Sequence, residues 1–269
     1  MKKIFEIQLG REKLIAEIND LAEKASGSCF IRYGGSMVLS TVTASKEEKE
    51  NIEFFPLTVE YEERYYAAGK IKGPRFVKRE TRPSDEAICN ARMIDRALRP
   101  LFPLEFKREV QIINTVLSWD AQNDPDILGL IGSSLALSIS AIPWGGPVGA
   151  VRVGKIGENF ILNPTYEEKE KSEMDVVFSG IEKDGDILVN MIEGGFERSK
   201  EETILEAFDF AKPYLKLLID FQKEIAKTLG AKKIEIQKEE EKEIKNAILE
   251  HFGEKIQNAF LPKESKEGS

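Results

Sequence analysis

Two cysteines, Cys29 and Cys89, and a single histidine, His251, are spread over 269 residues. They cannot make a disulfide framework, they form no CxxC, and they are too few for a zinc site. No apolar run approaches the roughly 20 residues that span a bilayer. The start, Met1-Lys2-Lys3-Ile4-Phe5, leads into alternating residues rather than an apolar h-region. P-loop, GxGxxG and HExxH strings are absent, and no histidine lies near the most basic stretch to act as a general base. These absences predict an intracellular (cytoplasmic) protein without secretory chemistry or a membrane partner.

What is present is a globular composition, with 41% apolar and 32% charged residues. The length suits one large domain or two small ones. Thirty-nine basic against 47 acidic residues give a net charge of −8. The charge is uneven. Arg64 to Arg108 holds twelve Lys/Arg and five Asp/Glu, or +7, so the remainder carries −15. A basic island in an acidic chain is a footprint for phosphates or other anions, or else a solvated charged face.

Strands are predicted at Cys29–Tyr33 and Met37–Thr43 around Gly34-Gly35, at Phe55–Tyr61 by alternation, and at Val110–Ser118. Between them Glu62–Arg82 reads as a long surface loop with six basic residues after Arg64. Ser84 reads as the N-cap of a helix to about Leu98, with Ala87, Ala91, Ile94 and Leu98 as its apolar stripe. Ile127–Ile142 reads as a second helix, dense in small residues that let neighbours approach closely. Pro143-Trp144-Gly145-Gly146-Pro147 punctuates the chain. After it, strands at Val148–Val153, Phe160–Leu162, Asp175–Ser179 and Ile187–Ile192 precede a long helix. That helix is predicted to open on a capping box at Ser199, to kink at Pro213 and to end at Gly230. From Lys232 the chain is highly charged. A helix over Glu239–Phe252 is predicted with Ile244, Ile248 and Phe252 on one face, within a mobile tail, and the chain reads as cut rather than finished.

Two constellations carry chemistry. Arg92, Arg96 and Arg99 are spaced 4 and 3 and share a helical stripe, with Asp95 able to pair with Arg92 or Arg99. Guanidinium forks match phosphate oxygens, although a structural ion-pair network would use the same pattern. Arg75-Phe76-Val77-Lys78-Arg79-Glu80-Thr81-Arg82 interleaves an aromatic with four basic residues, which suits single-stranded nucleic acid: a base stacks while phosphates meet cations. Glu173 and Asp175 share a strand face and could hold a metal, or simply face solvent.

Four strings, Phe54–Val59, Tyr66–Ile71, Lys78–Ser84 and Ala91–Pro103, closely resemble the first RNase PH-like core of the bacterial polynucleotide phosphorylase family. Asn123–Ile127, Ile131–Ser138, Gly146–Gly154 and Leu162–Thr165 continue the resemblance in order. It covers about residues 5–229, and residues 230–262 resemble the start of that family's all-helical linker.

The resemblance implies an α/β (α+β) RNase PH-like fold, with mixed sheets and helices in two layers followed by a helical segment. The implied parts are 1–142 and a smaller 143–230 within the core, 231–262 as the linker start, and 263–269 as a disordered tail. It also implies an enzyme, polyribonucleotide nucleotidyltransferase. That activity degrades RNA from the 3′ end with inorganic phosphate and Mg²⁺, in a homotrimer ring with other RNA-degradation proteins as possible partners, in mRNA catabolism. Phe76, Lys78, Arg79 and Arg82 would grip single-stranded RNA, and Arg92, Arg96 and Arg99 would approach an active site built mainly by a second core. This core would be non-catalytic: its nearest match to the family's Asp-x-Asp-x-Lys pattern, Glu173-Met174-Asp175-Val176-Val177, lacks the lysine. Rival readings are a stand-alone, non-catalytic RNA-binding or ring-scaffold subunit and a small RNase PH-type enzyme, the latter opposed by the missing lysine.

Overall fold

Alternating apolar residues build the first sheet. Strands β1 (Lys3–Leu9), β2 (Glu12–Ile18), β3 (Gly27–Tyr33), β4 (Ser36–Glu48), β5 (Leu57–Glu62) and β6 (Arg108–Ser118) lie in the order β1-β2-β3-β4-β6-β5. The computed structural model describes residues 2–48, 54–71, 73, 82–197, 199–236 and 242–260. All pairings in this sheet are antiparallel except β5–β6. Leu14, Ala16, Cys29, Ile31, Val38, Val42, Val110 and Ile112 fill its inner face. The predicted Gly34-Gly35 hairpin is present, with Tyr33 opposite Ser36. Gly34 has φ +57, and the Gly35 amide donates to Asp120 Oδ2 at 2.9 Å, so both positions lie against a carboxylate that leaves no space for a Cβ. The β1–β2 hairpin was not among the strands expected from sequence.

Helix α1 (Asp85–Leu98) covers β5, and α2 (Asp126–Ile139) packs on β3, β4 and β6. Every residue of α2 is buried, as an apolar circumference requires. Its small residues do allow close approach: Gly132 lies against Ser40 and Ile31. Ser40 and Ser133 both donate to Asn114 Oδ1, at 2.5 and 2.9 Å.

The second sheet, β7 (Gly149–Ile156), β8 (Asn159–Leu162), β9 (Met174–Lys183) and β10 (Asp186–Phe196), is antiparallel in the order β10-β9-β7-β8. A short helix, α3 (Tyr166–Glu170), joins β8 to β9 and opens on a Thr165/Glu168 capping box. Helix α4 (Glu201–Leu229) lies on β7 and β9 and touches α2. Ser134 joins the halves: it donates to Gln222 Oε1 of α4 at 2.6 Å and accepts from the Val148 amide at 2.9 Å. One expectation is corrected here. The N-cap of α4 is Lys200 with no side-chain cap bond, so the Ser199 box does not form. The helix ends at Gly230 as expected, with that residue extended (φ −65). Pro213 sits within the helix, which continues past it.

The start of the tail that was expected to be mobile from Lys232 is docked. The Ala231 and Ile234 amides donate to Ile139 and Ala141 carbonyls at 2.9 and 2.8 Å. Lys233 Nζ donates to the carbonyls of Leu137, Ser138 and Ser140 at 2.7, 3.2 and 2.8 Å, capping the C-terminal end of α2. Met1–Glu235 thus form one compact unit. The second unit begins at Ile236 and its described residues centre on α5 (Lys242–Phe260), longer than the helix expected. Ile248 and Phe252 on it are exposed.

Candidate nucleic-acid interface

Helix α1 begins as its sequence dictates. Ser84 Oγ accepts from the Ala87 amide at 3.0 Å and donates to Glu63 Oε2 at 2.7 Å, which ties the helix start to the end of β5. Its buried side is Ala87, Met93, Ile94, Ala97 and Leu98. The arginine stripe faces outward but is not uniform. Arg92 is exposed. Arg96 is exposed and pairs with Glu193 on β10. Arg99 is half-buried. Its guanidinium donates to the Phe55 and Leu57 carbonyls at 3.1 Å each and to Asp95 at 2.8 Å. Of the two partners open to Asp95, the structure selects Arg99. Arg82 is exposed and lines a cavity of about 440 Å³ with Arg64, Lys70 and Tyr65. Phe76, Lys78 and Arg79 lie outside the described residues.

A second constellation sits where α2, α3, β7 and β9 converge. Arg152 on β7 places Nη1 2.6 Å from Asp175 Oδ1 and Nη2 3.5 Å from Asp124, and Nη2 also bonds Asp126. Lys169 of α3 adds 3.0 Å to Asp124 and 3.3 Å to Asp175. Burial works against the Arg152 charge, but the three carboxylates outweigh it and raise its pKa above the ordinary value. Asp126 is fully enclosed at the first turn of α2, and burial pushes its carboxyl up to about 6 against the pull of Arg152. Its Oδ1 also accepts from the Ile127 amide at 2.6 Å. The N-terminal amides of α2 therefore already face a carboxylate, where an external phosphate would otherwise be favoured.

This cluster does not suit a divalent cation. Two cations of the chain itself already occupy its carboxylates, and among the described residues no three His, Cys, Asp or Glu side chains are disposed to hold a metal ion. Glu173 is exposed, whereas Asp175 turns into the cluster, so the two do not act as a metal pair.

A family model described as 3′ exoribonuclease family, domain 1, matches residues 12–143, and domain 2 of the same family matches residues 146–213. The chain belongs to the 3′ exoribonuclease (RNase PH) family. Polyribonucleotide nucleotidyltransferase of Geobacillus kaustophilus is 48% identical over 235 residues, covering 87% of this chain and 32% of that protein. The Bacillus anthracis protein of the same name is 45% identical over 260 residues, covering 97% of this chain and 36% of that protein. The chain thus spans about a third of the length of the curated relatives it matches. The crystal structure of rice (Oryza sativa) Rrp46 superposes with a TM-score of 0.65 at 14% identity, covering 82% of this chain and 96% of that one, a likeness of fold. The first match spans β2 to β6 with α1 and α2, and the second spans β7 to β10 with α3 and the first part of α4.

Sequence reasoning missed the Arg152 cluster. The signal was there: a single arginine within the apolar run Val148–Val153 of an inner strand needs buried partners. It also missed Trp119, whose Nε1 donates to Tyr166 Oη at 3.2 Å with the rings edge-on at 5.9 Å. No helix among the described residues is long and apolar enough to cross a membrane.

Proposed function

We propose that this chain is the RNA-holding and scaffolding portion of a phosphate-dependent 3′-to-5′ exoribonuclease that releases nucleoside diphosphates from RNA. The observation that carries this reading is the fate of Asp175. At the position that resembles the family's catalytic aspartate, the carboxylate is clamped by Arg152 and Lys169, and the position of the family's lysine is the buried Val177. A carboxylate already held by two cations of the chain itself is poorly disposed to hold a metal. Inorganic phosphate and Mg²⁺ therefore serve the whole enzyme at a centre this core does not contain. The core contributes cations: Arg82, Arg92 and Arg96 with Phe76, Lys78 and Arg79 contact single-stranded RNA, while Arg99 also anchors α1 to the start of β5. A cytoplasmic homotrimer ring, engaged in mRNA catabolism with other RNA-degradation proteins, is the setting that the resemblance supports.

Two measurements test this. The isolated chain, given poly(A), phosphate and Mg²⁺, is expected to release no nucleoside diphosphate; robust phosphate-dependent release would overturn the assignment. At low salt it is expected to bind poly(A) and poly(U) through phosphates. With about four phosphates neutralised, the log–log salt slope is near −3, and Arg79→Ala lowers its magnitude by about 0.7. Phe76→Ala weakens binding by about 1–3 kcal/mol and leaves the slope unchanged. Affinity indifferent to both substitutions would mean that the basic island is an internal ion-pair network.

A further inference from the structure

Beside the basic surface lies a cavity of about 630 Å³ roofed by α1 and α3, with Trp119 and Tyr166 in its wall. It shares Tyr61, Glu63, Arg64 and Ala68 with the smaller cavity that holds Lys70 and Arg82. Five carboxylates and three cations line the larger cavity, so its interior disfavours a phosphate. Most of those charges are already committed: Asp124, Asp126 and Asp175 to Arg152 and Lys169, and Glu63 to Ser84. Glu86 and Asn90 remain. They stand one turn apart on α1, and neither has a side-chain hydrogen bond or ion pair among the described residues. Arg92, two residues beyond Asn90, points about 200° away round the helix, so this wall is separate from the arginine stripe.

We propose that this cavity is a nucleobase subsite for RNA bases that carry an exocyclic amino group, with the base against Trp119 and its amino edge read by Glu86 and Asn90. The inference rests on the RNA-holding reading and deepens it. An aromatic wall supplies stacking, which every base accepts. A carboxylate can only accept hydrogen bonds, so it favours the amino groups of adenine and cytosine over the 4-carbonyl of uracil. The adjoining cavity, with Lys70 and Arg82, takes the phosphate that the acidic interior rejects. Trp119 is about one-third exposed, and its indole N–H is already bonded to Tyr166, so the ring is held in one orientation for a base.

The test uses a Trp144→Phe background, which leaves Trp119 as the only tryptophan. At low salt, AMP and CMP are expected to quench Trp119 emission saturably, and UMP to bind about tenfold more weakly or worse. Glu86→Ala and Asn90→Ala, both on the outer side of a capped helix, are expected to bring AMP and UMP close to equal affinity. The inference is overturned if AMP gives no saturable quenching, if AMP and UMP bind alike, or if both variants keep the preference. Anisotropy of a labelled oligo(U) reports the phosphate grip separately. Oligo(U) binding without any AMP response would sink the base subsite and leave the RNA-holding reading standing; no binding by either probe would sink both.

Discussion

Replacing Arg152 with methionine probes the buried charge cluster between α2, α3, β7 and β9. Its guanidinium is 2.6 Å from Asp175, 3.5 Å from Asp124 and bonded to Asp126. One such pair is worth about 4 kcal/mol at an effective dielectric near 20. Several kcal/mol of desolvation offset part of this for each buried ion. Removing one member of a buried network leaves a net cost of about 3–5 kcal/mol, because the partners stay buried without their countercharge. Three carboxylates would then face Lys169 alone. The cost depends on pH. Asp126 already titrates near 6 through burial, above its ordinary 3.8, and loss of Arg152 raises it further. A carboxyl raised in the folded state contributes stability that is complete below the unfolded pKa and is lost as pH rises through the folded value. The variant should therefore be weakest near pH 8 and recover as pH falls toward about 5. Urea denaturation of both proteins at about pH 8 and 5.5 reads this directly, and adding Asp126→Asn should restore part of the loss at the higher pH. A penalty under about 1 kcal/mol at pH 8, or an equal penalty at both pH values, would refute the reasoning.

Three further outcomes follow from the packing. Gly132→Ala places a Cβ onto Ser40, which is itself held by Asn114, and should lower stability by about 1–3 kcal/mol in thermal or urea unfolding. Ser84→Ala removes the α1 cap and the Glu63 bond and should cost about 1 kcal/mol by the same assay; no loss would mean the cap is replaced by solvent. Amide exchange should show Ala231 and Ile234 protected by their bonds to Ile139 and Ala141; free exchange at both would contradict the docking of this segment on the end of α2.

Much of the fold was legible because local chemistry agreed with the final structure. Ser84 before an acidic first turn and Gly34-Gly35 between β-branched runs each form as their residue types require. The helix read over Ile127–Ile142 forms as Asp126–Ile139, ending three residues earlier than expected. Where local signals misled, tertiary contacts were stronger. Ser199 fits a capping box, yet α4 starts at Glu201 behind Lys200 without one, and its stability comes from Ala211, Leu215 and Leu218 buried against the second sheet. Lys233 looked like one charge in a charged tail, but the carbonyls at the end of α2, almost a hundred residues earlier, give its ammonium three acceptors.

The functional surface divides the same way. The basic island and its arginine spacing are properties of the chain alone, since a helix sets which residues share a stripe. Which arginines keep their donors for a ligand is not. Arg99 is engaged by Phe55 and Leu57 because α1 happens to cross the start of β5, whereas Arg96 gives only one side of its exposed guanidinium to Glu193 where β10 passes its end. Asp124, Asp126, Arg152, Lys169 and Asp175 come from four separate segments, and no spacing rule joins them. Only the closure of the second sheet against α2 brings those charges together, and burial then makes their mutual neutralisation obligatory.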